Sequence, residues 1–221
     1  MNSVKHAKVG KKRPFYNFAY DFVRVTGALP GFLWFRFKIH RPYGTKLPKG
    51  AVLIVANHNS MMDPIIMNLA LFGRRMHSLA TSQLFRNKLA STFFNMMHCI
   101  KVDKDNFKVS TFRAVSDRLG EGKAVLIFPE GRINRESEML SFKSGAVLMA
   151  HRAKSKILPV YIAGRTKWYH RQHVVIGEPI DVASQLGAMP SMNDFQNISD
   201  QIRAQELHLM ETYMAETCAA H

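Results

Sequence analysis

The sequence predicts an α/β domain with a central, largely parallel sheet flanked by helices, preceded by an N-terminal amphipathic, aromatic helical segment that contacts a membrane. Three observations carry that prediction. Short, β-branched apolar runs alternate with longer helical patterns along most of the chain. The length, 221 residues, suffices for one domain with a sizeable core and is short for two. Basic and aromatic residues gather ahead of the first apolar run.

The N-terminal segment comes first. Residues 1–41 hold nine basic side chains (Lys5, Lys8, Lys11, Lys12, Arg13, Arg24, Arg36, Lys38 and Arg41) and one acid, Asp21. Aromatic residues are dense from Phe15 to Phe37, yet the uncharged run 25–35 falls well short of the roughly 20 residues that a span requires. Gly27, Pro30 and Gly31 predict a break, hence a pair of short helices lying in the lipid interface with Lys/Arg flanks on the headgroups. An aromatic helical hairpin docked on the domain is the alternative. The division expected is residues 1–45 as membrane-interface segment and 46–221 as the domain proper, on the cytoplasmic face of the membrane as a peripheral or monotopic protein. No small-residue cleavage site follows the apolar run, which argues against a secretory signal.

Six runs then read as buried strands: 51–56, 76–80, 99–102, 124–128, 157–162 and 174–176. Helical patterns cover 64–72, 83–96, 107–119, 145–153 and about 193–214. In such sheets ligands bind beyond the carboxyl ends of strands, which points to the polar residues after Ala56, Val102 and Phe128.

Composition narrows the function. Apolar residues make up 47% and charged residues 21%, an ordinary globular balance that excludes a disordered chain. Cys99 and Cys218, far apart, make neither a disulfide framework nor a metal pattern. Lys and Arg number 31 against 16 acids, a formal net charge of +15, which favours an anionic lipid surface, nucleic acid or an acidic carrier protein. Nucleic acid is disfavoured because the aromatics cluster in one apolar stretch instead of interleaving with basic residues across a sheet.

The run 51–56 leads directly into Asn57-His58-Asn59-Ser60-Met61-Met62-Asp63-Pro64. Pro64 suits a first helical turn, with Ser60 or Asp63 as cap. If the chain turns between His58 and Asp63, the carboxylate fixes one ring nitrogen and leaves the other free to take a proton. No G-x-S-x-G occurs and Cys99 lies in an apolar run, so a base without a nucleophile of its own points to a hydroxyl supplied by the substrate. A loop histidine and a capping aspartate explain the same spacing. Further on, Lys101 and Lys104 flank a strand end, Phe128-Pro129-Glu130-Gly131-Arg132 follows another, and Pro159-Val160 opens a third.

In this order the segments resemble the glycerolipid acyltransferase family, over about residues 50–177. Asn57-His58 to Asp63-Pro64 is similar to its N-H-x4-D-P block, Val102-Asp103-Lys104 to V-D-R, Phe128-Pro129-Glu130-Gly131 to F-P-E-G-T-R, and Phe142-Lys143-Ser144-Gly145 to F-K-x-G. The resemblance implies a lysophosphatidic acid acyltransferase of phospholipid biosynthesis. An acyl chain would pass from acyl-CoA or acyl carrier protein to a lysophospholipid hydroxyl, with no metal or other cofactor required. It implies His58 and Asp63 as catalytic residues, and Lys104, Glu130, Gly131 and Arg132 as substrate-binding residues. The family's Thr after Glu-Gly is missing, so Arg132 is the shifted phosphate ligand or leaves that role to Arg135. Lys104 stands for Arg, Lys101 for a common Pro, and His98 for a common Gly. The same family acting on another lysolipid, a hydrolase using water as acceptor, and a non-catalytic basic module are the rival readings.

Overall fold

The computed structural model describes residues 13–103, 109–135, 138–164, 171–187 and 189–218. All six expected strands form: β2 (Val52–Ala56), β3 (Met76–Thr81), β4 (Ile100–Val102), β5 (Ala124–Ile127), β6 (Lys156–Ile162) and β7 (His173–Ile176). Two short strands join them, β1 (Lys38–His40) and β8 (Ile180–Asp181). In the sheet β4, β3, β5, β2 and β6 are successive parallel neighbours. Strand β7 runs antiparallel to β6, β1 is parallel to β7, and β8 pairs antiparallel with the start of β6. The sheet is thus largely parallel with an antiparallel edge.

Alternation along the central strands explains why both faces are covered. Val52, Ile54 and Ala56 of β2 face helix α2 (Asp63–Ala70), meeting Ile66, Met67 and Ala70. Leu53 and Val55 face the other way, toward α4 (Val109–Gly120), α5 (Gly145–Arg152) and the C-terminal α7 (Met192–Cys218). Every residue of β2 is buried, as a strand covered on both faces must be. The region expected as one helix over 83–96 is instead a 3₁₀ turn (Ser82–Phe85) followed by α3 (Lys88–Met96). Asn87 divides them: its Oδ1 accepts from Ala90 N–H at 2.7 Å, an N-cap that starts a new helix. A one-turn helix, α6 (Val182–Gln185), completes the described elements.

The N-terminal segment departs from expectation. Instead of two short helices, α1 (Arg13–Phe35) runs unbroken through Gly27, Pro30 and Gly31. Proline inside a helix costs about 3 kcal/mol, and tertiary contacts outweigh it here. Tyr20 is fully buried, accepting from Met76 N–H at 3.1 Å and donating to Asn68 Oδ1. Arg24 donates to Arg74 O at 2.9 Å and lies 4.5 Å over the Phe72 ring, while Asp21 pairs with Arg75 through Nε and Nη2. Gly31 permits close approach rather than breaking the helix, because a Cβ there would stand 2.8 Å from Leu69 Cδ1 on α2. The segment before residue 45 also supplies β1 to the sheet, so no gap separates it from the rest.

Candidate active site

The parallel strands bring their carboxyl ends to one edge, and the candidate residues assemble there. His58 follows β2. Its Nδ1 lies 2.9 Å from Asp63 Oδ2, and Asp63 is fully buried. The chain does turn between them: Asn59 N–H and Ser60 N–H donate to the same Asp63 oxygen at 2.7 and 2.8 Å. Asp63 therefore does not cap α2 as the sequence allowed. The cap position is Met62, without a side-chain bond, and the carboxylate reaches back to wrap the loop around itself. Held by these donors, the carboxylate fixes the tautomer with a proton on Nδ1. Nε2 is left to accept a proton.

Two neighbouring strand ends hold the imidazole. The Phe128 ring, just beyond β5, stacks on His58 with centroids 4.1 Å apart and 15° between planes. His58 N–H donates to Glu130 Oε1 at 3.1 Å, and Asn134 N–H donates to His58 O. Beside it, Asn57 pairs with the end of β6, accepting from Ile162 N–H at 2.7 Å and donating to Ile162 O at 3.0 Å. The amide thereby substitutes for a sheet partner where the strand stops.

Glu130 behaves differently from a surface-facing ligand. Its carboxyl points inward and is buried, which pushes its pKa up against the opposing pull of the His58 and Leu140 N–H groups. Gly131 stands at φ +70°, the left-handed region that favours glycine, and a Cβ there would come within 3.2 Å of Lys143 Nζ. Arg132 and Arg135 are exposed, and Lys104 lies outside the described residues. Lys143 was visible in the sequence only as part of F-K-x-G; the structure brings its ammonium against the Gly131 turn.

A cavity of about 370 Å³ opens beside His58. Its polar lining residues are His58, Lys143, Thr81 and Asp103, and its apolar ones include Leu79, Val102, Ile127, Ala146 and Met149. Burial pushes the Cys99 thiol up to about 11, so it is no thiolate nucleophile. No group of three His, Cys, Asp or Glu with metal-holding geometry occurs among the described residues.

An α/β sheet whose strand ends carry a histidine paired with a buried carboxylate beside a largely apolar cavity has the parts that general-base chemistry on a bound hydroxyl or water requires. The Acyltransferase family model matches residues 38–163, more than half of the chain, and the chain belongs to that family. It is similar to the 1-acyl-sn-glycerol-3-phosphate acyltransferase of Bacillus subtilis, 28% identical over 173 residues covering 76% of this chain and 83% of that protein. The probable 1-acyl-sn-glycerol-3-phosphate acyltransferase of Mycoplasma genitalium is 31% identical over 53% of this chain, which spans 46% of that relative. The crystal structure of the acyltransferase PlsC from Thermotoga maritima shares the fold, with a TM-score of 0.67 at 19% identity over 91% of this chain and 83% of that one.

Proposed function

We propose that this acyltransferase moves an acyl chain from a thioester, acyl-CoA or acyl carrier protein, to the sn-2 hydroxyl of lysophosphatidic acid. The observation that carries the reading is the His58–Asp63 pair at 2.9 Å beside a cavity that Lys143 and a largely apolar set of side chains line. The acceptor class rests on the printed activities of the Bacillus and Mycoplasma relatives.

In this reading His58 Nε2 takes the acceptor's hydroxyl proton as the oxygen attacks the thioester carbonyl. The tetrahedral intermediate collapses, the C–S bond breaks, and the departing sulfur takes the proton from His58. Asp63 stabilises the imidazolium while it exists and never needs to be protonated itself. Lys143, the Gly131 turn and Arg132 hold the acceptor's phosphate, with Lys104 and Arg135 as further cations for it. The apolar wall, with Ala146 and Met149, takes acyl carbons. Glu130 contributes by bracing His58 rather than by touching the glycerol.

The membrane surface is reached through α1. Phe15, Phe18, Phe22, Val25, Leu29 and Leu33 recur every three or four residues and are each 60–71% exposed, an outward apolar stripe that buried Tyr20 and Ala28 oppose. Among the described residues no helix is long and apolar enough to cross a membrane. In this reading the stripe lies in the interfacial plane of the cytoplasmic leaflet, and exposed Met61 and Met62 bring the His58 loop to the same lipid. Incubation with a panel of lysolipids and both thioester donors, read by product mass, tests the function: phosphatidic acid from lysophosphatidic acid supports it. Acylation confined to another lysolipid would reassign the acceptor.

A further inference from the structure

The chain between β3 and β4 makes an excursion that starts and ends at the cavity. Thr81, the last residue of β3, and Val102, the last of β4, are cross-strand partners, and both line the cavity beside His58. Between them lie the 3₁₀ turn and α3, neither of which has a single buried residue. A helix this short draws its stability from packing an apolar face and not from propensity. Its inner side is held: the Phe94 ring lies 5.5 Å from that of Phe85, α1 packs on α3, and Tyr20 lies 4.8 Å from His98 just past the helix end. Its outer side is uncovered by any described residue. Leu89 and Phe93, four apart and so on one side of the helix, are 83% and 46% exposed, and Leu84 on the turn is exposed as well.

The charges beside these apolar groups have one sign. No acid occurs between Asp63 and Asp103. Arg86 and Lys88 are exposed next to Leu84 and Leu89 in the chain, and exposed Lys101 holds its Nζ 5.9 Å from the Phe85 ring. Asp21 of the neighbouring α1 is paired with Arg75. An apolar face with a basic fringe fits an anionic bilayer, where the apolar groups enter the acyl boundary and the cations meet headgroups. A second copy of the same face, equally basic, would be repelled. Helix α1, packed alongside, carries its own exposed apolar stripe, and that continuity favours lipid over an acidic carrier protein.

We propose that the 3₁₀ turn and α3 form a second lipid-docking surface, on which Leu84, Leu89 and Phe93 enter an anionic leaflet while Arg86, Lys88 and Lys101 meet its headgroups. Because the excursion leaves the sheet at Thr81 and returns at Val102, docking it sets the cavity rim at the leaflet from which a lipid acceptor comes. The proposal rests on the reading of the acceptor as a lysolipid taken from a membrane. It adds to the α1 stripe a contact tied directly to the rim of the site.

The test is the double variant Leu89→Ser, Phe93→Ser of the full chain, whose melting temperature should stay unchanged because both side chains are exposed. Its association with anionic vesicles should weaken by about tenfold or more. With acyl-CoA as donor, transfer to long-chain lysophosphatidic acid in those vesicles should fall in step. Transfer to a short-chain, monomeric lysophosphatidic acid should stay at the wild-type rate. Wild-type vesicle binding in the variant overturns the proposal, and so does an equal loss on both acceptors. A loss confined to acyl carrier protein as donor, with vesicle binding intact, would make the face a carrier dock instead and overturn it too. Leu89→Trp keeps the face apolar and should show more tryptophan quenching by brominated acyl chains than the wild type; no added quenching contradicts the proposal. Vesicle binding and quenching are read without turnover, so they stand or fall apart from lysophosphatidic acid as acceptor and His58 as base.

Discussion

The Phe128 ring lies flat on the imidazole of His58, 4.1 Å away, so the side chain just beyond β5 sets the plane of the histidine that follows β2. Stacking and the Asp63 bond together leave the imidazole one orientation. Phe128→Ala should lower kcat by up to ~10²-fold through misplacement of the base, while Phe128→Tyr keeps most of the activity. Steady-state kinetics on both folded variants checks this.

The cavity wall makes a prediction about chain length. Ala146 and Met149 project from α5 into the apolar part of the space beside His58. Ala146→Phe should shift the preferred donor to shorter acyl chains while short-chain turnover stays near wild type. Competition between thioesters of graded length, read by product mass, measures the shift.

Membrane contact depends on the outward stripe of α1. Replacing Phe18 and Phe22, both at least 60% exposed, by Ser should weaken sedimentation with anionic vesicles and leave the melting temperature almost unchanged. Raising salt should weaken binding further, because each basic residue near an anionic leaflet adds about 1 kcal/mol that ions screen. A loss of stability without loss of binding would instead place the stripe in the core.

Acid should destabilise the seam beneath α1. Burial holds His77 down to about 3 from an ordinary 6.5, with His98 Nδ1 3.2 Å from its Nε2. A depressed folded value means that the neutral form is the stable one. Stability is therefore full above about 6.5 and falls as pH drops toward 3, by about 1.4 kcal/mol per pH unit for this single proton. Denaturant unfolding at several pH values should show that slope, and His77→Gln should reduce it.

Much of this was legible in the sequence, and the failures share a cause. Strands β2, β5 and β6 were readable because burial on both faces writes an apolar run, as in Val52–Ala56. Strands β1 and β8, three and two residues long, are too short to leave a pattern, and only pairing with β7 and β6 makes them strands. Gly31 and Pro30 read as breakers because local propensity says so; the contact with Leu69 that reverses their meaning is long-range. His98 was noticed as a replacement for glycine, and it does sit at φ +56°. The spacing of His58 and Asp63 was visible, but the turn that joins them depends on donors from Asn59 and Ser60. Glu206 left a signal that went unread: it interrupts the apolar series Phe195, Ile198, Ile202 and Leu209 on the buried face of α7.

The central claim, that His58 is the base for the acceptor hydroxyl, is tested most directly by His58→Ala. The measurement is acyl transfer by purified, folded variant supplied with lysophosphatidic acid and acyl-CoA or acyl carrier protein. The predicted result is a loss of about 10²- to 10⁴-fold in kcat, the range for removal of a general base, with vesicle binding intact. Undiminished transfer would contradict the assignment.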